Sequence, residues 1–215
     1  IIGEINLELL QNTQNGDESS ISIPITLTED DVMFKYLKQR HDIKPKLIHK
    51  EPSVGIMNGL WANALGKGGI IQIETVFYPA NNFLDLRLTG MQGDVMKESM
   101  KCAKTMAFLL ADDCKFKKEE LSLHIHCPAT STPKDGPSAG GAICSAIYSL
   151  LTGKPILQNV AMTGEIDLIG NITAIGGVEA KLNGAKKAGI TLALIPKENE
   201  QQLERIRKEG KSPES

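Results

Sequence analysis

The chain has 215 residues, of which 41% are hydrophobic, so it can bury the core of one large domain or two small ones. Its 24 basic and 26 acidic residues leave a formal charge of −2, which gives no electrostatic reason to expect a nucleic-acid partner. The sequence has neither a long apolar run nor a basic, cleavable leader, so we expect a protein that neither spans a membrane nor is secreted.

The N-terminal quarter is predicted to be a connection and one short helix. Residues 11–22 (QNTQNGDESSIS) are polar and rich in Asn, Ser and Gln, which is typical of a linker. Thr28 precedes acidic residues, and basic residues come before His41, so a capped helix is predicted between them. A denser apolar pattern follows and continues to about residue 209.

Strands and helices alternate within the dense region. Apolar residues recur at three- and four-residue steps from Val95 to Leu110, which predicts an amphipathic helix. Further helices are predicted over 136–153, 176–189 and 197–209. The predicted strands are 68–79, 83–90, 121–127, 160–166, 168–175 and 190–196; the first two are expected to pair as a hairpin and the last to be buried. This alternation predicts an α/β or α+β domain with a mixed sheet and packed helices.

The strongest local signal is the segment KDGPSAGG (134–141), a loop that leads into a predicted helix. Proline favours the first helical position, so Gly136 is predicted as the cap, Pro137 as the first helical residue and Ser138 as the second. Unpaired N–H groups at a helix start stabilise a developing negative charge. Ser138 is therefore a candidate nucleophile, although serine is also an ordinary residue at the start of a helix.

A candidate base lies on the predicted helix 176–189. At about 100° per residue, Val178, Leu182, Ala185 and Ala188 form one apolar arc, and Lys181 falls inside it. Burial disfavours the charged form of lysine, which lowers its pKa and makes the amine a usable general base. The alternative is that the stem packs while the ammonium reaches water. A helix-start serine and a buried lysine together suggest a Ser-Lys hydrolase.

Three segments follow one another along the chain: TPKDGPSAG (132–140), AMTGEI (161–166) and IGGVEAK (175–181). In this order they resemble the proteolytic domain of Lon proteases, and the similarity extends over about residues 54–198. The sequence Ala-Thr-Ser at 129–131 departs from the Glu-Gly-Ala that is usual in the family. The resemblance implies a Lon-type fold, related to the ribosomal protein S5 domain 2-like fold.

The resemblance also implies roles for individual residues. Ser138 would be the nucleophile of a serine endopeptidase, and Lys181 would be its general base. Thr163 would help to hold the lysine. Asp135, followed by Gly136, would shape the loop before the serine.

The resemblance further implies how the chain is divided and what it acts with. Residues 1–52 would end a preceding ATPase module, 53–209 would form the proteolytic domain, and 210–215 would be a tail. Substrates would be unfolded or damaged polypeptides, the full-length protein would be a homohexamer, and its compartment would be the cytoplasm or the mitochondrial matrix. ATP and magnesium would bind the ATPase module, since neither Lys67 nor Lys154 completes a P-loop here.

Three other interpretations remain open at this point. A catalytically silent Lon-like assembly domain would keep the fold without hydrolysis, and a small-molecule kinase relative would use GPSAGG (136–141) to bind phosphate. His124 and His126 share one face of a predicted strand and could bind a metal with Cys127, but no further ligand has suitable spacing and no C-x-x-C pair exists. We expect no metal, and expect His126 to support the loop before Ser138 and Glu74 to be a rim carboxylate.

Overall fold

A computed structural model describes the part of the chain that carries the predicted site. The described residues are Gly3, 26–28, Asp31, Lys35, 47–48, 50–112, 120–128 and 134–213. The predicted linker 11–22, the departure at 129–131 and most of the helix predicted from Thr28 lie outside these ranges. The chain divides into two compact units, residues 1–44 and residues 45–215.

The described residues of the first unit include a local hydrogen-bonded pair. The Thr28 hydroxyl accepts the backbone N–H of Asp31 at 3.1 Å, and the Asp31 carboxylate accepts the backbone N–H of Thr28 at 2.9 Å. This reciprocal arrangement is the one expected at a helix N-cap.

The second unit is built on a six-stranded mixed sheet with a separate two-stranded hairpin. The strands are β1 (Ile56–Ala62), β2 (Gly68–Pro79), β3 (Leu86–Thr89), β4 (Leu121–His126), β5 (Val160–Met162), β6 (Glu165–Ile166), β7 (Ile172–Thr173) and β8 (Leu192–Leu194). The sheet order is β3-β4-β2-β1-β5-β8, and β6 pairs with β7. Strand β2 is antiparallel to both neighbours, whereas the other five strands run in one direction. The carboxyl ends of those five strands therefore lie on one edge of the sheet.

Helices cover both faces of the sheet. They are α1 (Asp94–Leu110), α2 (Gly140–Thr152), α3 (Val178–Ala188) and α4 (Glu200–Lys208), the last preceded by a 3-10 turn over Lys197–Asn199. Ile71 belongs to the main core with residues of α1 and α2, whereas its neighbour Ile70 packs with residues of α3. Consecutive strand residues point to opposite faces, so the two cores lie on opposite sides of β2.

None of the described helices is long and apolar enough to cross a membrane.

The predicted hairpin between 68–79 and 83–90 is wrong. Strand β4 lies between β2 and β3, pairing antiparallel with β2 and parallel with β3. Helix α1 joins β3 to β4, and a helical crossover of this kind is what two parallel strands require.

The partner of β2 in a true hairpin is β1, which the sequence pattern did not predict. Its apolar run is interrupted by Asn58, a fully buried side chain whose amide donates to the Gln158 carbonyl at 2.8 Å.

The C-terminal elements are also corrected in part. The strand predicted as buried over 190–196 is limited to Leu192–Leu194 and forms an edge of the sheet, with Leu192 and Leu194 exposed. The predicted apolar run began at Ile190 because this residue is buried; it packs against α3 and lies outside the strand. The helices predicted over 95–110 and 176–189 are confirmed.

We expect Ile73→Ala to lower the free energy of unfolding by about 2–5 kcal/mol, because the side chain is fully buried in the central strand β2. Equilibrium unfolding in urea measures the change. Val76→Thr is the matched control on the same strand; Val76 is exposed, so its effect should stay within about 0.5 kcal/mol. Equal effects of the two substitutions would contradict the placement of the core.

Candidate functional site

The predicted site residues come together near the carboxyl edge of the sheet. Thr163 directly follows β5, Ser138 lies in the turn before α2, and Lys181 is the fourth residue of α3. These three residues are separated along the chain and are collected by the fold. They belong to the second compact unit.

Lys181 is buried on the inner face of α3. Its residue is only 4% exposed, so the alternative in which its ammonium reaches water is wrong. The predicted apolar arc is confirmed by the buried residues Val178, Leu182, Ala185 and Ala188. Burial lowers the pKa of Lys181 to about 8, because removal from water penalises the charged form. A substantial fraction of this amine is therefore neutral near physiological pH.

Thr163 connects the lysine to the serine loop. Lys181 Nζ donates to Thr163 Oγ1 at 3.2 Å, and Thr163 Oγ1 donates to the backbone carbonyl of Ser138 at 3.1 Å. The Ser138 carbonyl also accepts the backbone N–H of Gly164 at 2.7 Å. Among the described residues, Thr163 rather than the Ser138 hydroxyl accepts the hydrogen bond from Lys181. One buried threonine thus holds the amine one hydrogen bond away from the serine backbone.

The predicted helix start at Pro137, with Ser138 as the second helical residue, is wrong. Helix α2 begins at Gly140, and Pro137 and Ser138 lie in the preceding turn, where the Gly140 N–H donates to the Pro137 carbonyl at 3.0 Å. The Ser138 carbonyl and the Gly141 N–H are both bonded to Gly164, which follows β5. This pairing with a distant segment competes with the helical bonds that an earlier start would need. Ser138 nevertheless lies close to the N-terminus of a helix, two residues before Gly140.

Asp135 joins the serine loop to the start of α1. Its Oδ1 accepts the backbone N–H groups of Met96 and Gly136, both at 2.9 Å. These two hydrogen bonds lower the pKa of the Asp135 carboxyl below its usual range, and the bond from Met96 has the larger effect. Helix α1 has Gly93 at its N-cap, which carries no capping side chain, and a Cβ there would lie 2.3 Å from the Asp135 carboxyl carbon. Asp135 is therefore the cap of a helix distant in sequence.

This capping role was not predicted from the sequence. The available signal is a strong amphipathic helix whose N-cap position is glycine, since such a helix start needs hydrogen-bond acceptors from elsewhere in the chain. Gly136 follows with φ near +114°, a conformation that favours glycine and turns the chain toward Ser138.

His126 lies at the end of β4 and contacts Thr89 rather than Ser138. The Thr89 hydroxyl is 2.7 Å from His126 Nδ1 and 2.8 Å from His124 Nε2. Burial, the Arg87 charge and His126 lower the pKa of His124. Within the described ranges, no three His, Cys, Asp or Glu side chains are grouped so that they could hold a metal ion. Glu74, expected at the rim, is half-buried; it lies on β2 directly beside its partner His126 on the neighbouring strand β4.

Comparison with known proteins places this chain in a family. Residues 27–213 match the Lon protease (S16) C-terminal proteolytic domain. The chain is 43% identical to a Lon protease homolog of Acanthamoeba polyphaga mimivirus over 94% of its own length and 21% of the relative. It is 40% identical to the Lon protease of Vibrio parahaemolyticus over 85% of the chain and 23% of that relative. The Lon protease of Haemophilus influenzae is 45% identical over 71% of the chain and 19% of the relative.

These relatives are much longer proteins. The chain spans about a fifth of the length of each. The similarity therefore concerns one domain of the relatives.

We expect Asp135→Ala to speed amide hydrogen exchange at Met96 and Gly136, because both N–H groups lose their acceptor. Exchange followed by NMR measures the effect residue by residue. Asp94→Ala is the control, since Asp94 lies in the same first turn of α1 but is paired with Lys97 at the surface. Unchanged protection at Met96 in the Asp135 variant would contradict the capping role.

Proposed function

Because the chain belongs to the family of Lon protease (S16) C-terminal proteolytic domains, we propose that it hydrolyses peptide bonds through an acyl-enzyme on Ser138, with Lys181 as the general base. The observation that carries the proposal is the buried amine of Lys181, held by Thr163 beside the Ser138 turn. The family match lends no support to the silent assembly domain or to the kinase relative considered from the sequence.

The first half of the reaction forms the acyl-enzyme. The neutral Lys181 amine takes the hydroxyl proton as Ser138 Oγ attacks the scissile carbonyl carbon. The peptide C–N bond then breaks, and the lysine ammonium delivers the proton to the leaving amine. In the second half, Lys181 takes a proton from water as the water attacks the ester, and the proton passes to Ser138 Oγ when the acyl group leaves.

Thr163 positions the amine for this chemistry. It accepts a hydrogen bond from Lys181 and donates one to the Ser138 carbonyl, so it holds the amine beside the serine residue. A positioned base avoids the entropic cost of bringing the reacting groups together during the reaction.

Backbone N–H groups in the Ser138 turn are suited to stabilise the oxyanion. The N–H groups of Gly140 and Gly141 already donate to Pro137 and Gly164. The N–H groups of Ser138 and Ala139, next to the positive end of the α2 dipole, would therefore bind the oxyanion.

The wider setting is proposed from the relatives, which are named Lon protease. Substrates would be unfolded or damaged polypeptides, and the working assembly a homohexamer in the cytoplasm or the mitochondrial matrix. ATP and magnesium would act in an ATPase module of the full-length protein, and no cofactor is proposed for this domain. We propose neither a membrane nor a nucleic acid as a partner.

We expect Ser138→Ala and Lys181→Met each to lower peptidase activity by at least about 10³-fold, because both remove a group that acts in the transition state. Cleavage of an unfolded polypeptide, with the ATPase module supplied, is the measurement. Lys187→Met is the matched control, since Lys187 is an exposed lysine of the same helix and should keep full activity. Comparable activity in all variants would exclude the dyad.

We expect activity to rise with pH through an apparent pKa near 8, since only the neutral form of Lys181 can accept the serine proton. Below that pKa, kcat/KM should fall about tenfold per pH unit. An acidic limb near the ordinary lysine pKa of 10.5 would contradict this assignment.

The free energy of unfolding should also depend on the protonation of Lys181. Below pH about 8 the lysine is charged in both the folded and the unfolded chain, so the full cost of burying the charge destabilises the fold. Between pH about 8 and 10.5 the unfolded chain binds more protons than the folded chain, so this destabilisation decreases as the pH rises.

A further inference from the structure

Helix α3 rests on strand β2 through direct backbone contact. A Cβ built on Gly68, the first residue of β2, would lie 2.0 Å from the carbonyl oxygen of Ala180 and 3.0 Å from the backbone nitrogen of Lys181. A Cβ built on Gly184, one helical turn further along, would lie 2.2 Å from the carbonyl carbon of Gly68. Two glycines therefore meet where no side chain fits.

The contact lies directly beneath the residue that carries the proposed base. Ala180 and Lys181 are consecutive residues, and Gly184 follows Lys181 by three positions, so these residues lie along one side of the helix. The height of this side above the strand determines how far the lysine amine reaches toward Thr163. The Lys181 to Thr163 hydrogen bond is 3.2 Å long, so a small outward movement of α3 breaks it.

We propose that Gly68 is a positioning residue for Lys181: the absence of its side chain lets α3 lie on the backbone of β2 and sets the depth at which the amine is buried. This inference rests on the proposed function, in which Lys181 is the general base. Gly68 touches no reacting group and acts only through the helix.

The requirement at Gly68 is for space and not for an unusual backbone conformation. Gly68 does not adopt the left-handed φ that is recorded for glycines such as Gly66 and Gly177. Alanine is therefore compatible with its backbone, and the cost of a methyl group arises from the contact with α3. Real side chains do not approach a backbone oxygen to 2.0 Å, so the helix must move outward by roughly 1 Å.

An outward movement of α3 would admit water to the Lys181 amine. The nearby charged residues are exposed: Glu179, Lys186 and Lys187 on α3, and Lys67 just before β2. In the described part of the chain, burial is the cause of the lowered pKa of Lys181. Hydration of the amine therefore returns its pKa toward the ordinary value of 10.5.

The test compares Gly68→Ala with Gly69→Ala. Gly69 is the matched control, because a Cβ there would meet the Trp61 ring at 2.9 Å, on the opposite side of the strand from α3, and this half-exposed ring can move aside. The pKa of Lys181 is read from the pH dependence of its side-chain Cε resonance, assigned by its absence in Lys181→Met. The pH profile of kcat/KM on an unfolded polypeptide is the second readout.

We expect Gly68→Ala to raise the Lys181 pKa by at least about one unit and to move the acidic limb of the profile by the same amount, which lowers kcat/KM up to about tenfold at neutral pH. The rates of the variant and the wild type should converge at high pH. Gly69→Ala should leave both readouts at the wild-type values. A folded Gly68→Ala with an unchanged Lys181 pKa overturns the proposal.

Gly184→Ala provides the second variant, because it adds a methyl group at the other side of the same contact. It should shift the pKa in the same direction, and failure of both variants to fold would show a purely structural contact and overturn the proposal. The resonance readout does not depend on catalysis. An inactive wild type would therefore refute the proposed function while the positioning role of Gly68 is still decided.

Discussion

The geometry of the site depends on the two hydrogen bonds of the Thr163 hydroxyl. It accepts a hydrogen bond from Lys181 and donates one to the Ser138 carbonyl, and the threonine itself is almost completely buried. A buried amine without a partner would lose several kcal/mol relative to water, or about 1–3 kcal/mol by mutational measures. Thr163 satisfies the amine while leaving it basic, because a neutral hydroxyl adds no charge that would hold the proton on the lysine.

The surrounding fold can be understood as a means of bringing three segments to this hydroxyl. Thr163 directly follows strand β5, the turn before α2 presents Ser138, and α3 carries Lys181. Each segment is held by backbone contacts rather than by flexible side chains: Gly164 bonds to Ser138 and Gly141, and Gly68 lies against Ala180. Small residues at these positions let main chains approach each other closely, which makes the geometry stiff. Asp135 extends this frame to α1 by capping the helix from the serine loop.

Local patterns predicted a large part of this arrangement. The periodicity around Val178 and Leu182 placed Lys181 inside the apolar arc, and its burial agrees with that interpretation. The same kind of periodicity predicted α1. The failures concern contacts between distant segments: β4 separates β2 from β3, and Gly164 binds the turn that was expected to begin α2. Strand β1 departs from the apolar pattern of a buried strand because Asn58, a polar residue, is buried within it.

The sequence by itself determined the helices with a clear apolar face and the mixed α/β class, and it singled out Ser138 and Lys181 as candidates, because these depend on residue type and on spacing within one turn or one motif. Only the tertiary structure decided the order of the strands, the start of α2 at Gly140, the capping of α1 by Asp135 and the joining of Lys181 to Ser138 through Thr163. The physical reason is that hydrogen bonds between distant segments depend on where the whole backbone runs. Local sequence constrains that path only weakly, since many pairings satisfy the same apolar pattern.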